Sequence, residues 1–330
     1  MRAAVYYGVN DFRVEDVPIP EIGEYEALVK VKACGICGTD VHKAIHKTVE
    51  PPLVLGHEVA GDVIKVGEKV QKFAVGDTVV VPHHTPCFAC SYCHHGHYTL
   101  CDQYTKTNID PGGFSECIRV PQPNVERAML KFNDLDYEEA AFVEPVACCI
   151  HGWEKLRMLP GDTVLIVGAG PIGLIHLELA KAFHAKEVYV ADIKEKRLHV
   201  AEKRGGISVH VGGIGGAHIK ADIVIVAAGN KEAYNLALRS VKKGGQISFF
   251  AECPPGSRIN LDPNLVYSKE LTFSGSYSST PFGHWKALNL IRKVINVKDL
   301  ITHRFGLEDL GKAIEMAYEA DDCLKIMIRP

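Results

Sequence analysis

Over roughly the first 120 positions, apolar and polar residues alternate in short runs broken by Gly, Pro and Asp. Ala27-Leu-Val-Lys-Val-Lys-Ala33 and Thr78-Val-Val-Val81 show this period, and 59–66 and 114–120 share its character. A period of two predicts half-buried strands, so this part reads as an antiparallel β domain, with Met1-Arg-Ala-Ala-Val-Tyr-Tyr-Gly as its first strand. Gly56, Gly61, Gly67 and Gly76 fall where turns or bulges are needed. From about residue 137 the pattern changes to continuous apolar runs alternating with helical periodicity. Strands are predicted at 163–167, 187–191, 209–211, 222–227, 246–250 and 271–274, mostly with helices between them. That is a doubly wound α/β arrangement with a six-stranded parallel sheet. One connection is short. The ten residues Gly-Gly-Ile-Gly-Gly-Ala-His-Ile-Lys-Ala between Val211 and Asp222 are too few and too glycine-rich for a crossover helix, and a loop is expected. A further helix is predicted at about 284–294, followed by a tail to Pro330.

The most informative stretch is Thr163-Val-Leu-Ile-Val-Gly168-Ala-Gly170-Pro171-Ile172-Gly173-Leu. Four apolar residues form a strand buried on both faces, three glycines follow in the spacing G-x-G-x-x-G, and a helix then runs to about Phe183. Gly168 permits the tight turn, Gly170 lets backbone approach a pyrophosphate, and Gly173 allows close packing of helix on strand. The helix N-terminus, opened by Pro171 and Ile172, offers free N–H groups and a positive dipole end to phosphates. Asp192 ends the next strand, nineteen residues beyond Gly173, where a carboxylate accepts bonds from both ribose hydroxyls. Together these features predict a dinucleotide site. A carboxylate at Asp192 repels a 2′-phosphate and favours NAD over NADP, although Lys194, Lys196 and Arg197 stand nearby; Arg197 is counted with the cofactor-binding residues.

The bulk properties exclude several classes of function. The 330 residues are 47% apolar and 23% charged, with 37 basic and 40 acidic side chains and a net charge of −3. Such a balance gives no basic surface for nucleic acid and no signal for a membrane partner. No apolar run approaches the ~18 residues of a bilayer span. With no leader-like h-region at the start, the expected location is the cytoplasm. The 11 cysteines are odd in number and four of them cluster, which argues for metal binding in a reducing compartment over disulfides.

That cluster is Cys87-x2-Cys90-x2-Cys93-x7-Cys101. Four thiolates on one loop match the closed tetrahedral coordination of a structural zinc, an iron–sulfur cluster being the alternative. His94, His95 and His97 inside the loop read as exposed polar residues. A second centre can be assembled from separated pieces: Cys34-Gly-Ile-Cys37-Gly-Thr39-Asp40-Val-His42, Gly56-His57-Glu58 and Glu144-Pro145. They supply a soft, a borderline and a hard ligand, a set that suits a zinc with a position left for water or substrate.

The sequence resembles the zinc-dependent medium-chain alcohol and polyol dehydrogenases, sorbitol dehydrogenase-like, over nearly its whole length. The resemblance is carried by Cys-Gly-Ile-Cys-Gly-Thr-Asp, Leu55-Gly-His-Glu-Val-Ala-Gly, the four-cysteine segment ending Gly96-His-Tyr-Thr-Leu-Cys101, Gly112-Gly-Phe-Ser-Glu-Cys, Glu144-Pro and Val167-Gly-Ala-Gly-Pro-Ile-Gly-Leu. It implies a GroES-like catalytic domain at 1–146 bearing the zinc lobe at 87–101, a Rossmann NAD-binding domain at 147–280, and a C-terminal segment at 281–330 that largely returns to the catalytic domain. It implies two Zn2+ per chain: a structural one on Cys87, Cys90, Cys93 and Cys101, and a catalytic one on Cys37 and His57, with Glu58 and Glu144 acting at the metal directly or through water. It also implies a proton relay from Thr39 through the cofactor ribose to His42, while Asp40 is left with the orientation of local backbone. Zinc makes an alcohol's hydroxyl acidic near neutrality, and the nicotinamide accepts the hydride.

The implied reaction is NAD-dependent oxidation of a secondary alcohol, a polyol or sugar-derived compound, to the ketone. Threonine-like amino alcohols and simple secondary alcohols are the alternatives, and a catalytically silent NAD- and zinc-binding protein is the reading from another class. Ser278 and Ser279 stand where sorbitol-type members carry an Arg-Tyr pair, which argues against sorbitol itself. A homo-oligomer, dimer or tetramer, is expected by the same resemblance. A nucleic-acid-binding zinc ribbon is excluded by charge, since 81–103 holds one acid and neither Lys nor Arg.

Overall fold

In the strand Ala27–Gly35, Val29 and Val31 turn into the core and Lys30 turns out, as the alternation requires. This strand organises the first of two compact units, formed by Met1–Ala147 together with Ser279–Pro330. The computed structural model describes residues 1–212, 219–321 and 323–330. One edge of Ala27–Gly35 pairs antiparallel with Glu58–Val66. The other edge takes Cys117–Val120 along its first residues and the late strand Lys325–Ile328 at its end, with Met327 opposite Gly35. The seven-stranded sheet runs in the order Ile301–Phe305, Lys325–Ile328, Ala27–Gly35, Glu58–Val66, Thr78–Val81, Leu130–Lys131, with Cys117–Val120 off the path. A smaller sheet sets Arg2–Gly8 between Asp11–Asp16 and Leu53–Val54. The inner faces share one core, in which Tyr6, Phe114 and Ile118 are fully buried.

The second unit is Cys148–Ser278. Its sheet has six strands in the order Ile207–His210, Glu187–Asp192, Thr163–Val167, Ala221–Val226, Val241–Phe249, Thr272–Gly275. Every pairing is parallel. The chain leaves Thr163–Val167 toward one neighbour and later returns on the other side, so the C-terminal end of that strand is the switch point of a Rossmann sheet. Thr163–Val167 is buried throughout, as a central parallel strand must be. The α/β class with a six-stranded parallel sheet is therefore the observed one. The strand expected at 209–211 lies at Ile207–His210, and that expected at 246–250 begins earlier, at Val241. The loop expected in place of a crossover helix falls largely on residues 213–218, outside the described residues.

Candidate active site

Cys37 follows two residues after the strand Ala27–Gly35 and caps the helix Gly38–His46. Its sulfur accepts from Thr39 N–H at 3.4 Å, and its own N–H donates to Asp40 Oδ2 at 3.0 Å. Asp40 is completely buried. Its other oxygen accepts from Gly56 N–H at 3.2 Å and lies 3.3 Å from His57 Nδ1. That contact fixes the imidazole so that Nε2 is the nitrogen left to bind a ligand. Asp40 thus does more than orient backbone. The N-cap-to-third-residue spacing of Cys37 and Asp40 was the signal for the backbone bond; nothing local announced the bond to His57.

Glu58, also 0% exposed, faces the same point from the adjoining strand. The donor atoms of Cys37, His57 and Glu58 all lie within 4.8 Å of one another. Glu58 is held by Lys325, whose Nζ donates to Oε1 at 2.6 Å and to the Ile36 carbonyl at 2.9 Å. The pairing of Lys325–Ile328 with Ala27–Gly35 delivers that lysine, 267 residues away in sequence. Gly35 lies between them, and a Cβ there would overlap Glu58 Oε2 and come within 2.8 Å of Lys325 Cε. Glu144 stands outside this cluster. It is buried in the first turn of the helix Val143–Trp153, and its charge adds to the field on Lys325.

The electrostatics of the cluster are those of a cation site. Burial alone would lower His57, but the negative charges of Asp40 and Cys37 outweigh it and push the imidazole well above its usual range. Lys325 behaves likewise: burial acts downward, and Glu58, Cys37 and Glu144 together hold it above the usual amine range. A thiolate, an imidazole and a carboxylate gathered in this field fit a zinc ion of mixed coordination. Thr39 and His42 are half-buried on the helix that Cys37 caps, three residues apart and so on one face.

Four further candidate sulfur ligands come from one knuckle. Cys87, Cys90, Cys93 and Cys101 also place their donor atoms within 4.8 Å of one another. The Cys87–Cys93 and Cys90–Cys93 sulfur separations are 3.9 and 3.6 Å, close to the ~3.8 Å edge of a tetrahedron with ~2.3 Å zinc–sulfur bonds. Backbone N–H groups of Ala89 and Cys90 donate to the Cys87 sulfur at 3.3 Å, and these bonds bring its pKa down to about 6. His94, His95 and His97 are exposed.

Beside the first cluster lies a row of imidazoles that sequence pattern did not reveal. The His83 ring is 4.8 Å from His57, His84 is 4.1 Å from His83, and Tyr104 is 5.1 Å from His84. Tyr104 donates its hydroxyl to the Ser279 carbonyl at 2.6 Å, and the Ser279 hydroxyl lies 2.9 Å from His284 Nε2. Ser279 is therefore committed to an internal bond. Burial pushes His83 well below the usual imidazole range, His84 to about 4 and His284 to about 3, so this row is neutral.

In the second unit the glycine turn has the anticipated form. Gly168 has φ +110°, and a Cβ on Gly173 would overlap the Gly168 carbonyl oxygen. Gly170 caps the helix Pro171–Ala182 in extended conformation with Pro171 at its first position. The atom nearest to a Cβ on Gly170 is Arg197 Nη1, at 3.8 Å. The buried Asp192 accepts from Ala169 N–H at 2.7 Å and Lys194 N–H at 2.9 Å, which pins its carboxylate beside the turn.

A Rossmann sheet with this turn, together with a β unit holding two donor clusters, defines the class: dehydrogenases that combine a metal centre with a nucleotide. Residues 23–129 match the alcohol dehydrogenase GroES-like domain, and 171–293 match the zinc-binding dehydrogenase family. The chain is 34% identical over 352 residues to a sorbitol dehydrogenase of Bacillus subtilis, covering 100% of this chain and 97% of that one. It is 32% identical over 322 residues to an L-threonine 3-dehydrogenase of Pseudoalteromonas translucida, covering 91% of each. A structure from Sinorhizobium meliloti 1021, assigned to the zinc-binding dehydrogenases and bound to NADP, superposes with a TM-score of 0.88 at 30% identity, covering 100% and 99% of the two chains. The chain belongs to the zinc-dependent medium-chain dehydrogenase/reductase family.

Proposed function

We propose that this alcohol dehydrogenase oxidises a secondary alcohol bearing further hydroxyl groups, a polyol or sugar-derived compound, to the ketone with NAD as hydride acceptor. The observation that carries the reading is the convergence of Cys37, His57 and Glu58 donor atoms within 4.8 Å. Those residues would hold the catalytic zinc, with Glu144 acting at the metal directly or through water. A zinc ion there supplies the Lewis acidity that makes a bound hydroxyl acidic near neutrality. Asp40 keeps His57 in the ligating tautomer, and Thr39 and His42 carry the hydroxyl proton away with the cofactor ribose between them. Cys87, Cys90, Cys93 and Cys101 hold a second, structural zinc.

Gly168, Gly170, Pro171, Ile172 and Gly173 form the turn for the pyrophosphate, with Arg197 adding a positive charge 3.8 Å from a Cβ on Gly170. Asp192 favours the unphosphorylated ribose of NAD. No helix among the described residues is long and apolar enough to cross a membrane, and the clustering of Cys87, Cys90, Cys93 and Cys101 suits the reducing cytoplasm. A homodimer or homotetramer is the proposed assembly.

The similarity to L-threonine 3-dehydrogenases supports amino alcohols as the second reading. The test is reduction of NAD and of NADP against polyols, inositols, threonine-like amino alcohols and simple secondary alcohols, with zinc measured per chain. Turnover restricted to polyhydroxylated substrates with NAD is the expected result. Turnover restricted to threonine-like substrates, or two zincs without turnover, would overturn the substrate assignment.

A further inference from the structure

The four-cysteine knuckle and the Cys37–His57–Glu58 cluster are described above as separate centres, yet a continuous chain of contacts joins them within the first unit. Tyr104 is its midpoint. The residue is fully buried and packs with Cys93 and Cys101. Its N–H donates to the Cys101 carbonyl at 2.8 Å. Thr107 Oγ1 donates to the Tyr104 carbonyl at 2.9 Å and accepts from Thr85 N–H at 2.8 Å, tying this turn to the segment that carries His83 and His84. Asn124 fixes the same segment from the other side, donating to the Pro82 and His83 carbonyls at 2.9 and 3.0 Å. The backbone is therefore clamped.

The rings are clamped differently. Nδ1 of His84 and Nδ1 of His284 are buried and have no hydrogen-bond partner among the described residues. Ring packing against Tyr104 sets the rotation of His84, and the Ser279 hydroxyl sets that of His284. Ser279 is itself positioned by the Tyr104 hydroxyl. His84 packs on His83, and His83 on His57, whose opposite side Asp40 holds. A shift of Tyr104 therefore reaches a ligand of the first cluster through three ring contacts and reaches His284 through two hydrogen bonds.

We propose that Tyr104 is a positioning residue through which the state of the four-cysteine lobe sets the orientation of the His83–His84–His284 row and, through it, of His57. The proposal rests on the reading of the four cysteines as a metal site. The lobe then acts on the first cluster, in addition to stapling its own loop. Such a coupling is reciprocal, so the imidazole row also stabilises the lobe.

The test uses the full chain with histidine labelled at the ring nitrogens, observed by NMR alongside metal content and steady-state kinetics. Tyr104→Phe keeps the ring and its packing and removes the hydroxyl that bonds the Ser279 carbonyl. The imidazole signal of His284 is expected to move, that of His84 to stay because its ring contact is retained, with zinc content unchanged and kcat lower by about fivefold, the effect of one hydrogen bond. Ser279→Ala, which spares the Tyr104 bond to the backbone carbonyl, should move His284 alone. Cys93→Ser, which disables the lobe, should move both signals in the wild-type background and only that of His84 in the Tyr104→Phe background. An unmoved His284 signal in Tyr104→Phe, an unmoved His84 signal in Cys93→Ser, or equal movement of His284 by Cys93→Ser in both backgrounds would overturn the proposal. A chain whose lobe binds no metal would instead refute the metal reading, with the Tyr104→Phe arm still deciding the network.

Discussion

Replacing Lys325 by methionine keeps the aliphatic stem and removes one charge. The amine it removes is 4% exposed and bonded to Glu58 at 2.6 Å and to the Ile36 carbonyl at 2.9 Å. What remains is a fully buried carboxylate without its counter-ion, a change that typically costs about 3–5 kcal/mol. The unit concerned spans about 200 residues, for which each kcal/mol moves the melting temperature by about 2–4 °C, giving an expected loss of about 6–20 °C in metal-free protein. A divalent ion held by Cys37, His57 and Glu58 returns positive charge to the same carboxylate, so the loss should shrink in zinc-loaded protein.

The sign with pH follows from the raised folded-state pKa of Lys325. Its contribution is fully present below the unfolded value of about 10.4 and is lost only as alkali passes the folded value, so the deficit should be flat between about pH 6 and 9. Calorimetry on Lys325→Met, Glu58→Gln and the double variant, each with and without zinc, reads the effect. A metal-free loss below about 2 °C, or strict additivity in the double variant, would refute the reasoning, since members of a buried pair must couple.

Three further outcomes are expected. Asp40→Asn withdraws the carboxylate that fixes His57, and zinc affinity measured by chelator competition should fall about 10–100-fold; an unchanged affinity would remove Asp40 from the site. Gly173→Ala forces the helix Pro171–Ala182 off the Gly168 carbonyl, so calorimetric titration should show NAD binding lost while zinc content stays at the wild-type level. In the second unit, burial acts to raise the Asp222 carboxyl, but Lys242 and the Thr163 N–H hold it below the usual carboxylate range. That contribution is present above the unfolded value of about 3.9 and is lost as pH falls through the folded one, so Asp222→Asn should lower thermal stability at pH 7 and converge with wild type in acid.

The sequence was most readable where one local rule decided the outcome. The strand, the three glycines and Asp192 needed only backbone geometry and a spacing, and the four cysteines needed only a count within fifteen residues. Strand limits were less legible, because Val241–Phe249 begins in a Lys-Lys-Gly-Gly segment that no apolar run announces. Asp40 was visible as the partner of the Cys37 N–H but not of His57, since a helix-capping pattern reports bonds within three residues and not a contact to the strand beyond. Lys325, Tyr104 and His284 had no signal at all. Lys325 and Tyr104 bond to segments more than a hundred residues away, and His284 is reached through Ser279, which Tyr104 positions; only the folded sheet and the docked knuckle create these contacts.

The delivery of Lys325 by a late strand also has a meaning in time. A chain growing from its N-terminus at about 5–20 residues per second presents Glu58 roughly 13–50 s before Lys325. Through that interval the strand Ala27–Gly35 lacks its neighbour Lys325–Ile328, and the space beside Gly35 has no ammonium group to fill it. A prematurely terminated chain would keep Cys37, His57 and Glu58 and still leave a carboxylate in an open sheet edge, a lesion that quality-control proteases can recognise. The setting of Cys37, His57 and Glu58 thereby depends on a residue made 267 positions after Glu58.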